Sequence, residues 1–175
     1  MKLYDAPRCP YCARVRIALA EKGLAWEQVV IDLSNRPRSL YELNPSGKVP
    51  VLDDGFVLPE SEVIVDYLDD RYPEPPLRPS DPRDRAEARL AVHRFDERLG
   101  DEYYAFRRGE PNRLAERLAG LDLGDSLYVA ILYAPWVIRA RELLGVELPP
   151  RLEDQLARLA ERPAFAAEIA TVRAL

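Results

Sequence analysis

The chain has 175 residues, 47% of them hydrophobic, enough for one packed domain or two small ones. Its net charge of -5 argues against general nucleic-acid binding, which needs a basic surface, and no apolar run approaches the ~20 residues that span a bilayer. No basic stretch followed by an apolar one opens the chain, so the expected compartment is the cytoplasm, where a cysteine pair is more often catalytic than structural.

Leu3 and Tyr4 form a short apolar strand, which ends in a turn before Cys9-Pro10-Tyr11-Cys12. A helical pattern follows from Ala13 to Gly23. Pro10 suits the first helical position, where a missing N–H costs nothing. Cys9 then stands at the helix mouth, where free N–H groups and the dipole favour its thiolate. Such placement draws a thiol pKa from about 8.5 into the range ~3.5–7.5. Arg8, Arg14 and Arg16 are near enough in sequence to add positive potential. Cys12, one turn on, is within reach of a mixed disulfide formed on Cys9, which is the layout of a dithiol redox site. Zinc is the rival reading, but 2 cysteines and 1 histidine fall short of four N/S ligands unless carboxylates or a second subunit contribute. A structural disulfide and a pair of inert core thiols also stay open, though the small loop gives a disulfide little to constrain.

Trp26 to Ile31 is rich in strand formers and completes a βαβ unit with parallel strands. Pro37 to Leu43 shows a short helical pattern. Asn44 to Asp53 is a turn leading into a strand interrupted by Pro50, which points to an edge position or a cis bond. Asp53-Asp54-Gly55 signals a hairpin into the strand Phe56–Leu58. A helix follows from Ser61 to Arg71, with Val63, Ile64, Tyr67 and Leu68 on one face.

The run from Tyr72 to Pro82 carries five prolines and reads as a stiff linker. This gives a first domain over 1–72, a linker over 73–82 and a helical second domain over 83–175. In the second, Arg83 to Arg108 has Ala86, Leu90, His93 or Phe95, and Leu99 at helical spacing, with a soft break near Gly100. Asn112 to Ala119 reads as a short helix. The apolar run Ser126 to Leu144 reads as a buried central helix kinked at Pro135. Arg151–Glu161 and Ala164–Arg173 are amphipathic helices. His93 is expected at a surface or interface.

Taken together, Lys2-Leu3-Tyr4, Cys9-Pro-Tyr-Cys12, Asn44-Pro-Ser-Gly-Lys-Val-Pro-Val-Leu52, Pro59-Glu-Ser61 and Tyr72-Pro-Glu-Pro-Pro76 resemble the glutathione S-transferase superfamily, most of all its two-domain glutaredoxins. Leu123–Leu127, Ala134-Pro135 and Arg162–Phe165 resemble that superfamily's C-terminal domain. The resemblance implies a thioredoxin-like α/β first domain with a four-stranded mixed sheet, then an all-α domain. It also implies a glutathione site beside Cys9, with Cys9 as nucleophile and Cys12 as resolving thiol. Val49 would pair its backbone with the cysteinyl unit on the edge that a cis Pro50 exposes. Glu60 would meet the ammonium of the γ-glutamyl end, and Ser61 with the helix N-terminus its carboxylate; the rival role for this pair is a plain helix cap. Arg36 is the cation best placed for the glycine carboxylate, unless it is simply solvated. Glutathione is the implied co-substrate, with no metal, and disulfides or glutathionylated proteins are the implied partners, with no nucleic acid or membrane; a homodimer stays open.

Three departures qualify the likeness. Ser126 is followed three places on by Val129 and not by an acid, so the return contact of a capping box is absent and Asp125 is left to share the capping. The second domain is short around 109–122, leaving fewer walls for a hydrophobic co-substrate. Tyr4 invites comparison with the tyrosine that activates glutathione in some transferases, but a core position is expected of it.

Overall fold

The computed structural model describes residues 1–175 apart from the side chain of Asp96. The chain divides into two compact units, Met1–Pro76 together with Leu175, and Leu77–Ala174. The first unit runs β1 (Lys2–Asp5), α1 (Pro10–Glu21), β2 (Glu27–Val30), α2 (Arg38–Leu43), β3 (Val51–Asp53), β4 (Val57–Pro59) and α3 (Ser61–Arg71). Its strands form one mixed sheet in the order β2-β1-β3-β4, β1 parallel to β2 and antiparallel to β3, which is antiparallel to β4. The fold is thioredoxin-like, with a helical second unit after it.

Alternation along β1 sends Leu3 and Asp5 to one face and Tyr4 to the other. Tyr4 lies opposite Val29 on β2 and Val51 on β3. It packs with them, with Leu40 and Leu43 of α2, and with Ala6, Cys12, Ile31 and Val49. Tyr4 is therefore core. α1 lies against α3, and Ile17, Ile64 and Leu68 are all buried. β2 is shorter than the run of strand formers, and as an edge strand it leaves Val30 exposed while Ile31, beyond it, is buried. Pro50 does not interrupt a strand. Its bond to Val49 is cis, and β3 begins one residue later, inside the sheet, where every N–H is available to the ladder.

The end of α1 is fastened by Lys22. Its buried amine donates to the Asp69 carboxylate at 2.5 Å and to the Tyr72 and Pro75 carbonyl oxygens at 2.6 and 2.7 Å. One side chain thus ties together α1, α3 and the chain leaving them.

The second unit comprises α4 (Pro82–His93), a π-helical turn over Asp96–Gly100, α5 (Asp101–Arg107), α6 (Leu114–Ala119), α7 (Leu127–Glu142), α8 (Pro150–Ala160) and α9 (Pro163–Arg173). Every residue of α7 from Tyr128 to Ala140 is buried, and the helix runs on through Pro135. Ser126 caps it, its hydroxyl accepting from the Val129 N–H at 3.4 Å, so half of a capping box forms without the acid and the cap is Ser126 itself. Inside, Arg139 pairs with Glu168 of α9 at 2.8 Å, both out of solvent. The inward face of α4 differs from the expected one: Leu90 is 47% exposed and Ala86 is exposed, whereas Ala88, Val92, Phe95, Leu99 and Tyr103 are buried. Contacts with α7 decide this. Phe95 meets the Tyr133 and Trp136 rings at 5.0 and 4.4 Å, and the Tyr133 hydroxyl donates to the Ala91 carbonyl at 2.6 Å. The π turn falls where the soft break was expected and keeps Phe95, Leu99 and Tyr103 on the buried side. His93 is exposed at the end of α4. Among the described residues no helix is long and apolar enough to cross a membrane.

Candidate functional site

β1 ends at Asp5, and a turn closed by the Cys9 N–H on the Ala6 carbonyl (2.9 Å) delivers Cys9 to the N-cap of α1. Its φ and ψ of -78° and 119° are extended, its carbonyl accepts from the Ala13 N–H at 3.2 Å, and Pro10 takes the first helical position. Its side chain makes no capping bond to the first-turn N–H groups. Cys9 is half-buried, and its thiol donates to the Val49 carbonyl at 3.8 Å. Val49 precedes the cis bond to Pro50, and both are buried. The structure thus brings Cys9, Val49 and Pro50 to one place.

Cys12 is fully buried behind Cys9 in the cluster that holds Val49 and Val51, and no disulfide joins the two cysteines. Burial pushes the Cys12 thiol well above its ordinary range, and a hydrogen bond with Cys9, then the charges of Cys9 and of Asp5, push the same way. A backbone hydrogen bond at Ala6 pulls it slightly down. Among the described residues no group of three or more His, Cys, Asp or Glu is placed to hold a metal ion.

Glu60 and Ser61 meet at the start of α3. Glu60 is exposed and has φ +70°, a left-handed backbone that costs a non-glycine residue about 1–3 kcal/mol. Its side chain makes no capping bond, so the plain-cap role does not hold for Glu60. Ser61 is buried at the first helical position, and its hydroxyl accepts from Arg14 Nη1 at 3.3 Å. Arg14 is itself buried, with its guanidinium 5.1 Å from the Tyr11 ring centroid, so one side chain links the cysteine tetrad to the Glu60–Ser61 turn. Arg16 goes elsewhere, to the Asp5 carboxylate at 2.5 Å, and Arg8 is exposed. Arg36 is exposed in the loop between β2 and α2 and makes no hydrogen bond or ion pair among the described residues.

Two residues of this region escaped sequence reasoning. Arg14 registered only as one of three nearby cations, and its signal is its place two residues after Cys12 in a helix otherwise packed with small and branched apolar residues. Asp5 gave none, because an acid at the end of a strand reads as a turn residue.

Residues 3–76 match the family model described as Glutathione S-transferase, N-terminal domain. The chain is 34% identical over 191 residues to the Stringent starvation protein A homolog of Coxiella burnetii, covering 97% of this chain and 91% of that protein. It spans 56% of the corresponding homolog from Pasteurella multocida, about half its length. It is 36% identical over 97 residues to Glutathione S-transferase omega-1 of Mus musculus, 54% of this chain and 40% of that one. Among solved structures, glutathione transferase Omega 1C from Trametes versicolor superposes with a TM-score of 0.82 at 26% identity, covering 99% of this chain and 93% of its own. A cysteine-capped first helix, a cis-proline strand entry, an acid–serine turn and these likenesses agree: the chain belongs to the glutathione S-transferase superfamily.

Proposed function

We propose that this protein is a glutathione-dependent thiol–disulfide oxidoreductase of the cytoplasm, with Cys9 as nucleophile and Cys12 as resolving thiol. The observation that carries the reading is the half-buried Cys9 sulfur at the mouth of α1, beside the Val49 carbonyl and in front of a buried Cys12. The dipole and free N–H groups of α1 favour its thiolate. The Cys9 thiolate attacks one sulfur of a glutathionylated protein, forming a Cys9–glutathione disulfide and releasing the protein as a thiolate that takes up a proton. A second glutathione thiolate then attacks the glutathione sulfur, leaving as oxidised glutathione and restoring the Cys9 thiolate. Cys12 offers an internal route: it loses its proton and its sulfur bonds to the Cys9 sulfur, and the Cys9–glutathione bond breaks to release glutathione thiolate. Two glutathiones then reduce the Cys9–Cys12 disulfide, leaving as oxidised glutathione.

Glutathione fits the groups present. Val49 carries backbone groups beside the sulfur, Glu60 supplies a carboxylate for the γ-glutamyl ammonium, and Ser61 with the N-terminal N–H groups of α3 suits its carboxylate. Arg36 is the cation assigned to the glycine carboxylate, and a homodimer is the proposed assembly. Turnover of hydroxyethyl disulfide with glutathione and its reductase tests the reading. Wild type should turn over, Cys9→Ser should lose at least 100-fold, on the order expected when a covalent nucleophile is removed, and Cys12→Ser should keep activity on glutathionylated substrates. An inactive wild type, or an active Cys9→Ser, overturns it.

The omega-named relatives favour a second reading, transfer or dehydroascorbate reduction by Cys9 alone. That reading expects Cys12→Ser to be silent on every substrate. A binding module without catalysis is the third, motivated by the short second unit and by relatives whose names carry no reaction. It expects an ordinary Cys9 reactivity profile and no glutathione affinity.

A further inference from the structure

The backbone that enters β3 beside Cys9 is gripped by a buried amide that thiol–disulfide exchange does not itself use. Asn44 follows α2, its N–H donating to the Leu40 carbonyl at 2.8 Å, and it is out of solvent. Asn44 Oδ1 accepts from the Ser46 N–H at 3.2 Å and from the Ser46 hydroxyl at 2.9 Å. Asn44 Nδ2 donates to the Lys48 carbonyl at 3.0 Å. Only one orientation of the amide satisfies all three, since one carbonyl oxygen cannot donate to another. The Gly47 N–H closes the turn on the Asn44 carbonyl at 2.8 Å, and its φ of +63° lies where a Cβ would also run into the Tyr41 ring.

What Asn44 holds is one end of a flat unit. The Lys48 carbonyl and the Val49 N–H belong to one trans peptide, so they point in opposite directions and turn together. Fixing the carbonyl therefore fixes the N–H. Val49 is buried, yet among the described residues nothing accepts from its N–H. Its own carbonyl takes the Cys9 thiol. A donor and an acceptor from one residue are thus presented beside the sulfur, which is what an extended peptide needs for pairing.

We propose that Asn44 is a positioning residue for glutathione: by holding the Lys48 carbonyl it aims the Val49 N–H at the cysteinyl carbonyl of the bound tripeptide. The inference rests on the proposed exchange function and deepens it. An extended cysteinyl unit gives its N–H to the Val49 carbonyl and accepts the Val49 N–H on its own carbonyl, as paired strands do. The second bond depends on the tilt of the Lys48–Val49 peptide. Hydrogen bonds weaken steeply below ~120°, so a peptide free to rock gives up most of that bond. Its loss costs about three- to tenfold in affinity. Asparagine and aspartate both anchor a turn of this kind, but only asparagine has an N–H for the Lys48 carbonyl. Asn44→Asp therefore keeps the acceptor for Ser46 and sets an oxygen against the Lys48 carbonyl, turning that peptide away.

Two ligands with blocked sulfurs read the consequence by calorimetric titration of the whole protein. S-methylglutathione carries the cysteinyl carbonyl, whereas γ-glutamyl-S-methylcysteamine keeps the γ-glutamyl end and the thioether without it. Asn44→Asp should weaken S-methylglutathione about three- to tenfold and leave the Kd of the cysteamine ligand at its wild-type value. An unchanged Kd for S-methylglutathione overturns the proposal. So does an equal loss for both ligands, which marks Asn44 as a turn anchor only. Amide exchange in the unaltered protein tests the same bond. S-methylglutathione should slow deuterium uptake at the Val49 N–H, and an unchanged rate overturns the proposal even if Asn44→Asp fails to fold. Failure of the exchange function looks different: wild type does not turn over hydroxyethyl disulfide with glutathione, while the two ligands still separate Asn44→Asp from wild type.

Discussion

Two sulfurs one helical turn apart are treated oppositely by their surroundings. Cys9 is half-buried at the N-cap of α1, whereas Cys12 is packed with Ala6, Ile31, Leu40, Val49 and Val51 and pushed up by burial. Iodoacetamide at neutral pH should therefore modify one cysteine of the native protein, Cys9, and reach Cys12 only in denaturant; peptide mass mapping reads which. Saturating glutathione should protect Cys9 in the same experiment. Glu60 offers a separate residue-scale test. Its φ of +70° stores strain that glycine relieves, while glycine costs roughly 0.5–1 kcal/mol in chain entropy. Glu60→Gly should thus melt no lower than wild type yet show a raised KM for glutathione with kcat nearly unchanged. A drop in both kcat and melting temperature would mark the strained turn as structural only. Cys9 was legible as a candidate because it stands at a helix start announced by Pro10, and Glu60 because Pro59-Glu60-Ser61 carries the resemblance to the glutathione S-transferase superfamily. The backbone strain at Glu60 was not, since nothing in a side chain reports the torsion of its own residue.

At the scale of elements, the buried faces were harder to read than the elements themselves. The order of strands and helices in the first unit follows from apolar runs cut by Asn44-Pro45, Asp54-Gly55 and Pro59, all strong local signals. The inward side of α4 did not follow, because Leu90 is apolar yet exposed and the choice lay with Trp136 and Tyr133 on another helix. α7 and α9 are joined by two ion pairs of different kinds. Arg139 and Glu168 are wholly enclosed, so Glu168→Gln should cost about 3–5 kcal/mol in urea unfolding by stranding the guanidinium. Replacing both with apolar residues of similar volume should cost far less. Glu142 is partly exposed, and its bonds to Arg173 first, then Arg141, hold its carboxyl below the usual range. A carboxyl lowered on folding stabilises above its unfolded value of about 4.3 and loses that contribution as pH falls through the folded value. Glu142→Gln should accordingly lower the melting temperature at neutral pH, leave it little changed at the acid end, and so flatten the acid limb of the stability profile.

Over the whole molecule, the proposed site lies in the first unit. Its cysteines, cis-proline entry and acid–serine turn all belong to Met1–Pro76, and the second unit supplies an all-helical body with a single buried helix at its centre. Composition foreshadowed this division only through its prolines. It also left a trace in the cations: Lys2, Lys22 and Lys48 are the sole lysines, all in the first unit, and every cation of the second is arginine. Lys2 and Lys48 are exposed, whereas Lys22 is sealed among Asp69, Tyr72 and Pro75. An amine-acylating reagent therefore finds one concealed target. Under pulsed exposure, acetylation at that nitrogen becomes a clock for transient opening around the base of the cysteine-bearing helix, with the two surface amines as internal standards.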